Sequence, residues 1–181
     1  MTGETRDDGG AASGEGPVIR AAGPDDVETI FALIVELAQY ERAPDQVRGT
    51  PALLREALFG ERPSCEALIA ARADGGETLG FALFHGTFST WECRPGIWLE
   101  DLYVPERFRR GGIGGRLLSA VAAIALQRGC ARLEWVALDW NAPALGFYER
   151  LGARTLEDWV VHRLDGGGLA AVAGLAQDLT P

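Results

Sequence analysis

Two kinds of chemistry-bearing residue follow one another between Trp98 and Gly115. Glu100 and Asp101 stand side by side in the apolar run Trp98-Leu-Glu-Asp-Leu-Tyr-Val104, where a carboxylate can attract a cation or accept a proton from one. Just beyond lies Phe108-Arg-Arg-Gly-Gly-Ile-Gly-Gly115, a glycine-rich turn that leads into an amphipathic run. A strand that enters a helix through such a turn gathers unpaired backbone N–H groups at the positive end of the helix dipole. That point favours phosphate, and Arg109 and Arg110 add charge-assisted donors to it.

Spacing separates three phosphate-binding patterns. A Walker loop requires G-x-x-x-x-G-K followed by Ser or Thr, and no Lys follows these glycines. A dinucleotide fingerprint requires G-x-G-x-x-G or Ala. Here Gly112 and Gly114 are followed by Leu117 at the third position, although Glu134 stands about 20 residues on, where a ribose ligand would lie. The third pattern, R-x-x-G-x-G, is met by Arg109, Gly112 and Gly114, and it resembles the acyl-CoA pyrophosphate loop of the GNAT superfamily of N-acetyltransferases. The likeness runs from about Val18 to Arg163 and takes in the superfamily's order of elements together with Asn141, Phe147-Tyr148 and Leu151-Gly152-Ala153. Glu36-Leu-Ala-Gln-Tyr-Glu41, Phe88-Ser-Thr-Trp91, Leu99-Glu-Asp101 and Leu138-Asp-Trp-Asn141 are similar to signatures of the spermidine/spermine and thialysine acetyltransferase group. The Ser-Thr-Trp and Leu-Asp-Trp-Asn versions resemble the thialysine branch.

The resemblance implies a transferase that uses acetyl-CoA as cosubstrate and acetylates a small primary amine, either thialysine- or lysine-like or a di- or polyamine, by direct attack in a ternary complex. It implies pantetheine along Leu102, Tyr103 and Val104, and pyrophosphate on Arg109, Arg110, Gly111, Gly112, Ile113, Gly114 and Gly115. Asn141 would cap its own helix and also touch the cosubstrate. Tyr148 would meet the cosubstrate as the general acid for the departing thiolate. Glu100 is the candidate base, because an ammonium group must lose a proton before it can attack. Tyr40, Glu41, Trp91, Glu100 and Asp101 form the expected substrate side, with carboxylates for the amine and an aromatic wall for its stem. No metal is implied, and the group's habit suggests a homodimer. A non-catalytic acyl-CoA sensor on the same fold is the alternative, and such a protein has no need of Tyr148 or Glu100. As neighbours on a regular strand, Glu100 and Asp101 point to opposite faces unless a bulge re-aims one of them. His85 and His162 stand isolated and read as strand packing or surface, since nothing pairs them with a nucleophile.

These residues need a scaffold, and periodicity outlines it. Val18-Ile19-Arg20 reads as a strand, and Pro24-Asp-Asp opens a helix that turns Val27, Ile30, Phe31, Ile34, Val35, Leu37 and Ala38 inward and ends near Tyr40-Glu41. Thr50 as cap and Pro51 at the first position predict a second helix from Pro51 to Phe59, closed by Gly60. Ala67 to Ala71 and Leu79 to Phe84 read as strands joined at Asp74-Gly75-Gly76, and Ile97 to Val104 as the next, with Trp91 to Gly96 as loop. Ile113, Leu117, Leu118, Val121, Ala122, Ile124 and Ala125 recur at helical spacing before a stop at Gly129. Leu133 to Leu138 reads as a strand, Asn141-Ala-Pro opens a helix that stops at Gly152, and Trp159 to Arg163 reads as a last strand. Residues 169–178 form a small terminal helix in this reading, isolated by Gly166 to Gly168. The order indicates a mixed α/β fold. With the resemblance, it becomes a GNAT-like, mostly antiparallel central sheet flanked by helices in a single domain.

The chain has 181 residues, 47% apolar and 24% charged, enough for one domain with a full core. Residues 1–16 contain almost no large apolar side chains and read as a flexible tail, 17–165 as the domain and 166–181 as an extension. The 26 acidic against 17 basic residues give a net charge of -9, which argues against nucleic acid or an anionic membrane as partner and suits a cationic substrate. Neither a signal peptide nor a run of roughly 18 to 20 apolar residues is evident, so a cytoplasmic location is expected. Cys65, Cys93 and Cys130 are odd in number and widely spaced, which fits neither a disulfide framework nor a zinc site.

Overall fold

The computed structural model describes residues 16–175, so the expected tail falls almost wholly outside the described residues, as do positions 176–178 of the expected terminal helix. Backbone contacts gather the described residues into two compact units that divide after Val136. The first holds a five-stranded sheet in the order β1 (Val18–Ala21), β2 (Glu66–Ala71), β3 (Thr78–Ser89), β4 (Arg94–Tyr103) and β5 (Leu133–Glu134). All neighbours are antiparallel except β4 and β5. Three helices accompany it: α1 (Val27–Tyr40), α2 (Pro51–Phe59) and α3 (Ile113–Gln127).

Both sheet faces are covered, which explains why β2 reads as continuous apolar residues rather than as an alternation. On one face Ile30 and Leu33 of α1 and Leu58 of α2 pack with Ala67, Ile69, Phe81, Leu83 and Tyr103. The other receives α3, which lies across β2, β3 and β4 and buries Ile113, Leu117, Leu118, Val121 and Ala125. The starts and stops follow their local chemistry. Thr50 accepts a hydrogen bond from the Leu53 N–H at 3.3 Å to cap α2, and Gly75 takes φ 75° in the turn that Asp74 braces through the Gly76 N–H.

The β3–β4 hairpin is longer than its apolar pattern suggests. Arg94, Pro95 and Gly96 belong to β4 rather than to a loop, because Ser89↔Arg94, Phe88↔Pro95 and Thr87↔Gly96 continue the ladder through polar and glycine positions. β5 ends at Glu134 and does not reach Leu138. It pairs with β4 only at Ile97↔Leu133 and Trp98↔Glu134, so β4 runs on to Tyr103 beyond the end of its parallel neighbour.

The second unit contains α4 (Ala142–Arg150) and α5 (Gly166–Ala173). Trp159 to Arg163 forms no strand, and Trp159, Val160 and Val161 are exposed. Gly166 to Gly168 form the first turn of α5 instead of isolating it.

Candidate active site

The end of β4 and the turn that follows it bring most of the singled-out residues together. Leu83 faces Asp101 across the hairpin, but the next residue, Phe84, faces Leu99, so Glu100 is an extra residue in β4 and forms a β-bulge. The consequence is a change of face. Asp101 shares the face of its partner Leu83, which belongs to the α1–α2 core. Glu100 accepts a 3.0 Å hydrogen bond from Trp98 Nε1, and Trp98 is the cross-strand partner of His85, two residues along β3 from Leu83 and on that same face. The regular-strand expectation of opposite faces therefore fails, because the bulge re-aims Glu100 onto the side that Asp101 already occupies.

Electrostatics report the same crowding. Burial, then repulsion from Glu100 and from Glu41 at the end of α1, pushes Asp101 up to about 6 from an ordinary 3.8. Burial also raises Glu41. Asp101 is thus the carboxyl whose charge burial and its two acidic neighbours disfavour, a state that an ammonium group relieves. Tyr40 lies beside them, its ring 4.4 Å below the Arg109 guanidinium.

The glycine turn is shaped by two left-handed residues, Arg110 at φ 68° and Gly112 at φ 75°. Gly112 is the N-cap of α3, and a β-carbon there or on Gly115 would meet no protein atom, so the backbone faces open space just where Ile113, Gly114 and Gly115 begin the helix. Open backbone N–H groups at a helix start fit a pyrophosphate. Arg110 is exposed beside them. Arg109, however, turns back on the protein: its Nε donates to the Val104 carbonyl at 2.9 Å, and its guanidinium also stands 5.8 Å from the Tyr103 ring. Gly80 matters for the same strand end, since a β-carbon on it would sit 2.6 Å from the Tyr103 carbonyl oxygen. Burial, followed by Glu36, pushes the Tyr103 phenol up to about 12, so it stays neutral beside Leu102 and Val104.

One expected participant stands elsewhere in the first unit. Trp91 is 85% exposed in the β3–β4 turn. Six residues of strand separate Ser89 from Leu83, about 20 Å at strand rise, so Trp91 does not join Asp101 within this chain. Asn141 and Tyr148 belong to the second unit. Asn141 is buried and its Oδ1 caps α4 by accepting from the Ala144 N–H at 3.3 Å; Tyr148 is half-buried on α4, its ring 5.1 Å from that of Phe147.

One residue escaped the sequence reading. His85 is not isolated: its Nε2 lies 3.9 Å from Glu100 Oε2, a neighbour set by hairpin register and the bulge, neither of which a lone histidine reveals. Among the described residues no group of three or more His, Cys, Asp and Glu side chains is arranged to hold a metal ion, and no helix is long and apolar enough to cross a membrane. Cys65, Cys93 and Cys130 are free thiols.

Residues 32–153 match the model of the Acetyltransferase (GNAT) family. The chain is 38% identical to a thialysine N-epsilon-acetyltransferase of Bos taurus, over 87% of this chain and 97% of that protein. It is 28% identical to an L-ornithine N5-acetyltransferase of Arabidopsis thaliana, over 85% and 86%. Among solved structures, an integron cassette protein from the mobile metagenome of V. cholerae superposes with a TM-score of 0.73 at 27% identity, covering 88% of this chain and 99% of that one.

Proposed function

This chain belongs to the Acetyltransferase (GNAT) family and is an acyltransferase that moves acetyl groups to amines, and from that premise we propose that its acceptor is the side-chain amine of a lysine-like amino acid. The observation that carries this reading is the bulge at Glu100, which sets two carboxylates on one face at the strand end next to the glycine turn. The names of the bovine and plant relatives, which act on thialysine and ornithine, support an amino-acid acceptor.

In this reading Arg110 and the N–H groups from Gly111 to Gly115 hold the pyrophosphate of acetyl-CoA, and the end of β4 at Leu102 to Val104 lines its pantetheine arm. Bound acetyl-CoA supplies an electrophilic thioester. Asp101 and Glu41 draw in the ammonium, Tyr40 covers the alkyl stem, and Glu100 takes the proton that must leave before the nitrogen can attack. The attack is direct, in a ternary complex: Cys65, the thiol that feels Glu100, is pushed up by burial, which disfavours the thiolate an acyl carrier needs. Tyr148 donates the proton to the leaving thiolate, and Asn141 holds the start of α4. We further infer that the protein is a cytoplasmic homodimer, with Trp91 at the subunit boundary, a point that light scattering on the purified chain settles.

The test is thiol release from acetyl-CoA with thialysine, lysine, ornithine and spermidine as acceptors. The expected order places the three amino acids above spermidine in kcat/KM. Acetyl-CoA binding with no thiol release for any amine would favour the acyl-CoA sensor instead, and spermidine as the best acceptor would reassign the protein to polyamines.

A further inference from the structure

We infer that His85 is the proton outlet of Glu100: a positioning residue that orients the Glu100 carboxylate from across the hairpin, receives the proton Glu100 takes from the substrate and releases it to water. The inference rests on Glu100 acting as the base in the reading above.

Three contacts carry it. His85 and Trp98 are direct cross-strand partners, and both reach the bulged Glu100, Trp98 by its 3.0 Å hydrogen bond and His85 with Nε2 at 3.9 Å from the same oxygen, Oε2. The other ring nitrogen, Nδ1, lies 3.1 Å from the Gly86 carbonyl oxygen. A carbonyl only accepts, so this contact requires the proton on Nδ1 and leaves the lone pair of the neutral ring on Nε2, facing Glu100. A proton that Glu100 takes up passes on to Nε2 through one water across the 3.9 Å gap. Protonated, the ring satisfies both nitrogens at once, one on Gly86 and one on Glu100. Both side chains reach solvent, His85 at 40% and Glu100 at 57% exposed, so the ring's part is to take the proton quickly at a fixed place and hand it to water. The other groups that feel the Glu100 charge are Asp101 and Cys65, whose thiol is raised by burial first and also by Glu100 and Glu66.

The balance is complete without another reactant. The ammonium gives one proton to Glu100 and becomes an amine; the nitrogen forms the C–N bond as the C–S bond breaks. The amide nitrogen loses its second proton while the thiolate gains one, so one proton leaves overall, by His85.

The test uses the full chain with acetyl-CoA and L-ornithine. His85→Ala should lower kcat/KM for ornithine by about tenfold to a hundredfold, and free imidazole in the assay should restore much of that loss. In a Glu100→Gln background His85→Ala should cost little more, because the two act as one unit. His85→Gln, which keeps a polar side chain but no titrating ring, should stay slow. Parental turnover in His85→Ala, or a loss that imidazole does not repair, overturns the proposal while leaving the transferase reading intact. Glu100→Gln at parental rate removes the base itself and the outlet with it.

Discussion

Asp101 is the residue whose environment says most about its task. A carboxyl held near 6 instead of 3.8 stays protonated in the native state where the unfolded chain has already ionised. Between about pH 4 and pH 6 the folded protein therefore binds more protons than the unfolded one, so stability falls as pH rises through that window and the cost is fully present above it. Asp101→Asn removes the cost. Relative to the parent, the variant should gain up to about 3 kcal/mol on going from pH 4 to pH 7 in urea unfolding; a constant difference between the two proteins would show that Asp101 is not held up. Its activity should move the other way, because the neutral amide gives an ammonium no counter-charge. The acid limb of kcat/KM for the amine, near pH 6 in the parent, should disappear along with most of the rate. The adjacency of Glu100 and Asp101 was legible in the sequence, which puts them on opposite faces of a regular strand and on one face only if a bulge intervenes. What alternation cannot supply is the partner register that decides which residue bulges.

At the scale of elements, α1 is tied to the glycine turn by arginines. Arg107 bridges to Glu36 at 3.2 Å, and one turn further along the helix Arg109 stacks on Tyr40 while its Nε holds the Val104 carbonyl. The R-x-x-G-x-G pattern marks Arg109 as a candidate phosphate ligand, and in the structure its guanidinium is turned onto Tyr40, the aromatic wall proposed to meet the amine, and onto the Val104 carbonyl. Both jobs depend on a planar guanidinium that can stack and donate at once, which an ammonium cannot do. Arg109→Lys should therefore raise KM for the amine as well as for acetyl-CoA, each by about fivefold. A change confined to acetyl-CoA would mean that the Tyr40 contact does not serve the substrate side. The helices themselves were readable because caps and periodicity are local: Thr50-Pro51 and Gly112 mark their starts as found. Trp159 to Arg163 was misread because apolar β-formers express a preference for a pleated, half-buried surface, and a strand exists only where a partner completes its ladder.

The whole molecule is acidic, at net -9 with a sequence pI near 4.7. That excess was plain from composition, but its use was not, since the same charge serves solubility whether or not it guides a ligand. Structure narrows the choice, for part of the excess is concentrated: Glu41 and Glu100 stand close enough to Asp101 at one strand end to oppose its ionisation. A focused negative region draws cations from solution at a rate that salt screens, with a Debye length of about 8 Å at physiological ionic strength. If the field steers substrate, kcat/KM must fall with added NaCl, and more steeply for spermidine, whose amines are all cationic at neutral pH, than for ornithine, whose carboxylate offsets one of its two ammonium groups. Equal, shallow slopes for the two would assign the net charge to solubility and leave recognition to short-range contacts at the site. A steep slope for spermidine together with a higher plateau for ornithine would separate the two effects, charge bringing any amine to the cleft and the residues around Asp101 choosing among them.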